Sequence, residues 1–301
     1  MDLDRPDTVI SLRNKKLEEK VRHSADGFPM KLYWNDFSQY AAQQIPWHWH
    51  TELEFAVVCK GEVSISIGAD TLHLTQEDAV FINSNVLHKM IPTGPDPAHM
   101  YTIVANPALL SIDPAFLLGS KYVTPYISQE QIRYLHFRPD AGWRGTVFQK
   151  LQEIYNCYGN EPWYEYRVHN LLCDIWLLLL QNCWKQPSKE PKKDIREERL
   201  RQMLQYIHEH YKQPLSLEDI CSSAHISKTE CCRCFQQTLQ MTPFDYLSFY
   251  RVSIAADQLR QTGHTVTQIA MDTGFRSTSY FGKVFHSYIG KTPLQYRRSP
   301  D

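Results

Sequence analysis

The chain has no long apolar run, no broad charge of either sign and no regular spacing of cysteine, and each absence narrows what it can be. Its most apolar stretch, Leu171 to Leu180, holds Asp174 and is about half as long as the roughly 20 residues a helix needs to cross a bilayer. That stretch is therefore core or partner surface, and no membrane partner is expected. The formal net charge is −1, from 32 Lys/Arg against 33 Asp/Glu, so no overall field gathers nucleic acid or lipid. The eight cysteines, Cys59, Cys157, Cys173, Cys183, Cys221, Cys231, Cys232 and Cys234, show no even spacing. Residues 1–26 are charged and weakly periodic, which suggests a flexible arm rather than a targeting signal. The expectation is a reduced, cytoplasmic setting.

What the chain does have is length and uneven pattern. At 301 residues it can fold as two domains, each with its own core. Residues 195–301 carry 13 Lys/Arg against 10 Asp/Glu, a net +3, and residues 1–194 carry 19 against 23, a net −4. Between them Gln186 to Asp194, QPSKEPKKD, has two prolines, five charges and no periodicity, the composition of a linker. From Lys31 the first half alternates in short runs: Leu53 to Cys59, Val63 to Ile67, Thr71 to Leu74, Ala79 to Ile82, His88 to Ile91 and Met100 to Ala105. Strands so short and regular predict a small barrel or jelly roll. Pro107 to Pro139 is irregular, and its Phe116, Leu117, Leu118, Tyr122, Tyr126, Tyr134 and Phe137 are expected to fold back over the barrel mouth. Two helices follow, about Trp143 to Tyr158 and, opened by Pro162, about Trp163 to Trp184.

The second half is helical throughout. Ile195 to Tyr211 places Leu200, Met203, Leu204 and Ile207 on one face. Further on, Thr265 caps a short helix carrying Val266, Ile269 and Ala270, Gly274 stops it, Phe275 plugs the turn, and Ser277 caps a second helix. On that second helix Phe281, Val284, Phe285 and Tyr288 share one face, leaving Thr278, Ser279, Gly282, Lys283 and His286 outward. This is a helix-turn-helix pattern, and its outer face suits the major groove or plain solvent. The pattern occurs twice. Ile220 precedes Ile269 and Ile226 precedes Phe275 by 49 residues, while Arg233 precedes Lys283, Phe235 precedes Phe285, Thr242-Pro243 precedes Thr292-Pro293 and Tyr246 precedes Tyr296 by 50. One residue has been gained in the second turn, and a repeat that keeps a cation on its outer face is hard to ascribe to packing alone. Between the units a helix capped at Thr242 and stopped at Gly263 spans about 30 Å, close to the ~34 Å between successive major-groove faces on one side of DNA. With a net +3, individual cations must supply the phosphate contacts.

The run Cys231-Cys232-Arg233-Cys234 lacks the spacing of a zinc site, since ligands one and three apart on a helix diverge. Cys231 and Cys234 are expected to pack inward and Cys232 to face out beside Arg233. An outward thiol there also admits a redox role.

Residues 196–298 resemble the DNA-binding domain of the AraC/XylS transcription regulators. The pattern A-x-D-x-G-F-x-S-x-S-Y-F-x-K-x-F-x-x-x-x-G-x-T-P stands here as Ala270, Asp272, Gly274, Phe275, Ser277, Ser279, Tyr280, Phe281, Lys283, Phe285, Gly290, Thr292 and Pro293, followed by Tyr296 and Arg297. The resemblance implies DNA contacts from Lys228, Thr229, Cys232 and Arg233 in the first unit and from Thr278, Ser279, Tyr280 and Lys283 in the second. It also implies a homodimer formed through the helices after the barrel, for which core packing is the alternative.

The barrel region holds a second constellation. His48 and His50 lie two apart on an extended segment and Glu54 four beyond, all on one face, with His88 on a later strand. They match the cupin motif H-x-H-x-x-x-E-x-x-x-x-x-x-G, completed by Gly61. The second motif departs from the family, with Glu77 where glycine is usual and Asn83 and Asn85 in place of proline and glycine. Three imidazoles and a carboxylate suit a divalent metal. The same groups with Trp47 and Trp49 suit a small polar effector such as a sugar, and histidines that merely cap strands remain the third reading.

The fold expected is multidomain α+β. A flexible arm spans 1–26, a cupin-like β-barrel (jelly roll) 27–140, a helical layer 141–185, a linker 186–194, and an all-α domain 195–301 holds helix-turn-helix units at about 216–240 and 265–290. The function expected is a sequence-specific regulator of transcription, not an enzyme. Its partners would be double-stranded promoter DNA, a small-molecule effector, a second copy of itself, and RNA polymerase if it activates. A metal-dependent cupin enzyme fused to a DNA-binding domain, or a regulator without effector, are the alternatives.

Overall fold

The alternating residues of the first half pair into two antiparallel sheets. The computed structural model describes residues 27–298 except 41–42, 69, 112–116, 129–131 and 184–194. The arm, the linker, Phe116 and Trp184 lie outside the described residues. Strands β1 (Met30–Asp36), β2 (Ile45–His48), β3 (Leu53–Lys60), β4 (Val63–Ile67), β5 (Asp70–Leu74), β6 (Ala79–Ile82), β7 (His88–Pro92), β8 (His99–Ala105) and β9 (Tyr134–Phe137) form one sheet in the order β1-β8-β3-β6-β9 and a second in the order β2-β7-β4-β5. The six strands expected from the alternation are all present. The stretch expected to be irregular contains an element of its own: Tyr134–Phe137 pairs with β6 as an edge strand. Ahead of it a wide helical turn, Gly119–Val123, leads into α1 (Thr124–Ile127), which buries Tyr126. Leu117 and Leu118 are exposed rather than folded inward.

The pleat decides which strand residues meet which layer. Leu53, Phe55 and Val57 of β3 and Tyr101, Ile103 and Ala105 of β8 point to one face of the first sheet, where they join Val147, Leu151, Ile154, Val168, Leu172, Ile175 and Leu179. The last seven belong to α2 (Trp143–Cys157) and α3 (Tyr164–Cys183). Glu54, Ala56 and Val58 alternate to the other face and are buried there. The first sheet is thus covered by helices outside and by the second sheet inside. Each fully buried aliphatic side chain in such a layer contributes about 1.5–3 kcal/mol. Pro162 does not begin α3 as expected, because Trp163 adopts φ 59° and the helix starts at Tyr164.

Residues 195–298 form helices only: α4 (Ile195–His210), α5 (Leu217–Ser223), α6 (Lys228–Leu239), α7 (Pro243–Gln261), α8 (Val266–Asp272), α9 (Thr278–Ile289) and α10 (Pro293–Arg298). Its helix starts follow the predicted caps. Ser216 and Thr242 form capping boxes with Asp219 and Asp245, while Ser227, Thr265 and Ser277 accept from the backbone three residues on. Each such cap contributes about 1 kcal/mol. The residue gained in the second turn is Arg276, between Phe275 and Ser277. No described helix is long and apolar enough to cross a membrane.

Candidate functional sites

The two sheets bring His48, His50, Glu54 and His88 together. His48 and His88 are paired residues on β2 and β7, so their side chains leave the same face of the second sheet. Glu54 faces them from β3, and His50 comes from the segment joining β2 to β3. All four are buried, and one ligand atom from each lies within 4.8 Å of the others. The backbone fixes the imidazoles. His48 Nδ1 donates to Pro46 O at 2.8 Å, His50 Nδ1 to Glu52 O at 3.1 Å and His88 Nδ1 to Val86 O at 2.8 Å. A carbonyl oxygen only accepts, so Nδ1 carries a proton in each ring and Nε2 turns to the centre, where a neutral ring offers a lone pair.

With neutral rings the centre is short of positive charge. Glu54 Oε2 lies 2.8 Å from His50 Nε2 and 3.1 Å from His88 Nε2. Among the described residues His48 Nε2 and Glu54 Oε1 have no hydrogen-bond partner. Burial raises the Glu54 carboxyl pKa, but its contacts with the His88 and His50 rings outweigh that and hold the group ionised far below the ordinary range. Burial and then the neighbouring His88 lower that of His48, which stays neutral. Nε2 atoms facing a carboxylate in a buried space repel it unless a proton or a metal ion lies between them. The donor set, three imidazole nitrogens and one carboxylate, fits a divalent transition metal.

The aromatic partners expected here are placed differently. Trp47 alternates away from His48, and its ring carries Lys89 Nζ at 5.1 Å, on the far side of the strand from the imidazoles. Trp49 is buried but follows the same alternation. A buried carboxylate that the sequence reading missed lies beside His50: Glu52 Oε2 is 4.0 Å from His50 Nδ1. Its signal was the period-two spacing to Glu54. The two departures that stand in place of glycine keep a glycine-like backbone. Glu77 at φ 69° and Asn85 at φ 60° occupy the left-handed region, and Asn83 donates to Tyr126 O and Ile132 O, holding the loop.

In the helical unit the outward faces are those expected. Lys228, Thr229, Cys232 and Arg233 are exposed on α6, and Ser279, Tyr280 and Lys283 are exposed on α9 with Thr278 half-buried. Cys231 and Cys234 are buried, and all eight cysteines are free thiols. Sequence spacing did not reveal that the α6 cations are engaged: Lys228 pairs with Glu218 at 2.6 Å and Arg233 with Glu230 at 2.7 Å. It also missed His208, buried in α4, which stacks on Tyr250 with ring centroids 3.6 Å apart and meets Tyr246 Oη at 2.9 Å.

Comparison with known proteins agrees with both regions. A helix-turn-helix domain family matches residues 220–299 and a cupin domain family residues 39–104. The uncharacterized HTH-type transcriptional regulator YdeC of Bacillus subtilis (strain 168) is 29% identical over 291 residues, covering 95% of this chain and 97% of YdeC. Regulatory protein SoxS of Escherichia coli (strain K12) is 33% identical over 98 residues, 33% of this chain and 92% of SoxS. Among solved structures, an apo ToxT variant from Vibrio cholerae strain SCE256 shares the two-domain fold at TM-score 0.50 and 13% identity, over 89% of this chain and 97% of that one.

Proposed function

Because the chain belongs to the AraC family of DNA-binding transcription regulators, with a cupin domain ahead of its helix-turn-helix domain, we propose that a small polar effector in the barrel controls how α6 and α9 meet promoter DNA. The observation that carries the barrel part is the buried centre where the Nε2 atoms of three imidazoles converge with a carboxylate. His48, His50 and His88 through Nε2 and Glu54 through its carboxylate would hold a divalent metal. When bound, that ion supplies a Lewis-acid centre for the oxygens of an effector such as a sugar. The chain's own part is to fix the tautomers, keep Glu54 ionised and exclude water.

On the DNA side, Lys228, Thr229, Cys232 and Arg233 of α6 and Thr278, Ser279, Tyr280 and Lys283 of α9 make the contacts. The 19 residues of α7, about 28 Å of helix, set the two reading helices one helical turn of DNA apart. Trp163 at 81%, Tyr166 at 77% and Leu177 at 52% exposure lie beside or on α3, and we assign them to a homodimer contact in a cytoplasmic regulator. RNA polymerase is a further partner if the output is activation.

Melting of metal-stripped full-length protein with added divalent metals and a panel of sugars tests the barrel reading, since a ligand that binds the folded state raises Tm. A metal-dependent rise is expected, lost in His50→Ala and Glu54→Ala, with DNA affinity retained in both. No rise with any metal, together with no metal in protein purified from cells, removes it. Catalytic consumption of a stabilising compound would instead favour the cupin enzyme.

A further inference from the structure

We propose that Gly282 marks the point on α9 at which bound DNA comes closest to the helix backbone. The inference rests on α9 being a DNA-reading helix and adds where on it the duplex lies. Glycine is the costliest helix-interior residue after proline, because it gives up the most chain freedom on folding and leaves backbone open to water. A chain that keeps one mid-helix has a reason, and the internal reasons fail here. Gly282 is not among the left-handed glycines, which include Gly274 and Gly290. Helix α9 runs unbroken from Thr278 to Ile289, so the glycine does not interrupt it. Nor does a neighbouring element need the room: a Cβ built on Gly282 meets nothing within 4 Å. Gly145 near the start of α2 shows the contrast, since a Cβ there runs into the Asp140 carbonyl oxygen.

What is left is a body from outside the chain, and the face around Gly282 says of what kind. It lies one turn after Thr278, one turn before His286 and beside Lys283, and Lys283 and His286 are exposed. From Thr273 to Gly290 there is no carboxylate, so the face offers hydroxyls, a cation and bare backbone. A polyanion with rigid walls matches that surface, and the absent side chain lets it approach the helix more closely than any other residue would allow.

The test uses the full chain and a duplex selected on it from a randomised DNA library. Gly282→Ala has opposite expected effects on two readouts. Tm should rise by roughly 4 °C, because the helix gains a better former, while affinity for the selected duplex should fall about tenfold or more. Lys283→Ala serves as the comparison and should weaken binding with a shallower salt dependence. A higher Tm with unchanged affinity in Gly282→Ala, alongside weakened binding in Lys283→Ala, overturns the close approach and leaves α9 as a reader. Unchanged affinity in both variants overturns the assignment of α9 itself. A lowered Tm in Gly282→Ala means the space is needed within the protein and also overturns the proposal.

Discussion

The turn of the first helix-turn-helix unit passes through His225 at φ 53° and its reading helix ends on Gln240 at φ 57°, where the second unit has Gly274 at φ 88° and Gly290 at φ 75°. The backbone plan is shared and the residues that meet it differ. Left-handed backbone costs a non-glycine residue about 1–2 kcal/mol, so the first unit folds against a local penalty. The second has no such choice at Gly274, because a Cβ there would sit 2.5 Å from Tyr211 O and 3.0 Å from Arg251 Nε. Their charges differ in the same sense. The α6 cations are paired with Glu218 and Glu230, whereas Lys283 of α9 has no ion pair among the described residues. One unit presents cations in held geometry, suited to reading a base edge, and the other presents a free cation, suited to phosphate.

The largest expected effect is at the turn. Gly274→Ala should destabilise the helical unit by about 3 kcal/mol, combining backbone strain with the clash against Tyr211, seen as a lower urea midpoint with unchanged slope. Unaltered stability would break the contrast between the turns. Next, Arg233→Ala should cost about 1–3 kcal/mol of binding and relax preference at one base position. Lys283→Ala should weaken all sequences alike and reduce the salt slope by about one. Equal behaviour of the two variants would remove the division of labour.

A third difference is sensitive to acid. Tyr246 of the first unit meets His208, and its counterpart Tyr296 lies under the Arg260 guanidinium at 4.8 Å. Burial lowers the His208 pKa well below its ordinary 6.5, so the unfolded chain binds the extra proton. The stability contributed by keeping His208 neutral is full above pH 6.5 and is lost as pH falls, at up to about 1.4 kcal/mol per pH unit. His208→Gln should flatten that dependence in urea titrations. A dependence that stays as steep places its source elsewhere. The smallest effect is again in the turn: His225→Gly should stabilise by about 0.5–1 kcal/mol, the opposite sign to Gly274→Ala. A loss of stability would show that the His225 side chain, not its backbone, matters there.

Periodicity carried most of the architecture. The β3 alternation put Glu54 and Phe55 on opposite faces, and the 49- and 50-residue offsets located both units, because these features depend on neighbours in sequence. What escaped depends on partners far along the chain. Tyr134–Phe137 became a strand only by pairing with β6. Trp47 meets its partner, Lys89, only when β2 pairs with β7. The Lys228–Glu218 pair needs two helices in register, and nothing around His208 marks it for burial until α7 supplies Tyr246 and Tyr250.

Arg251 of α7 donates through Nε to Tyr211 O and through Nη2 to Gln213 O, both at 2.8 Å, and it is the Tyr211 carbonyl that Gly274 lies against. The end of α4 is therefore a common bearing, clamped by the connector on one side and seated against the second turn on the other. In chain order α4 is also the first helix after the linker. A torque entering there would not stop at the first unit but would turn both reading helices as one lever.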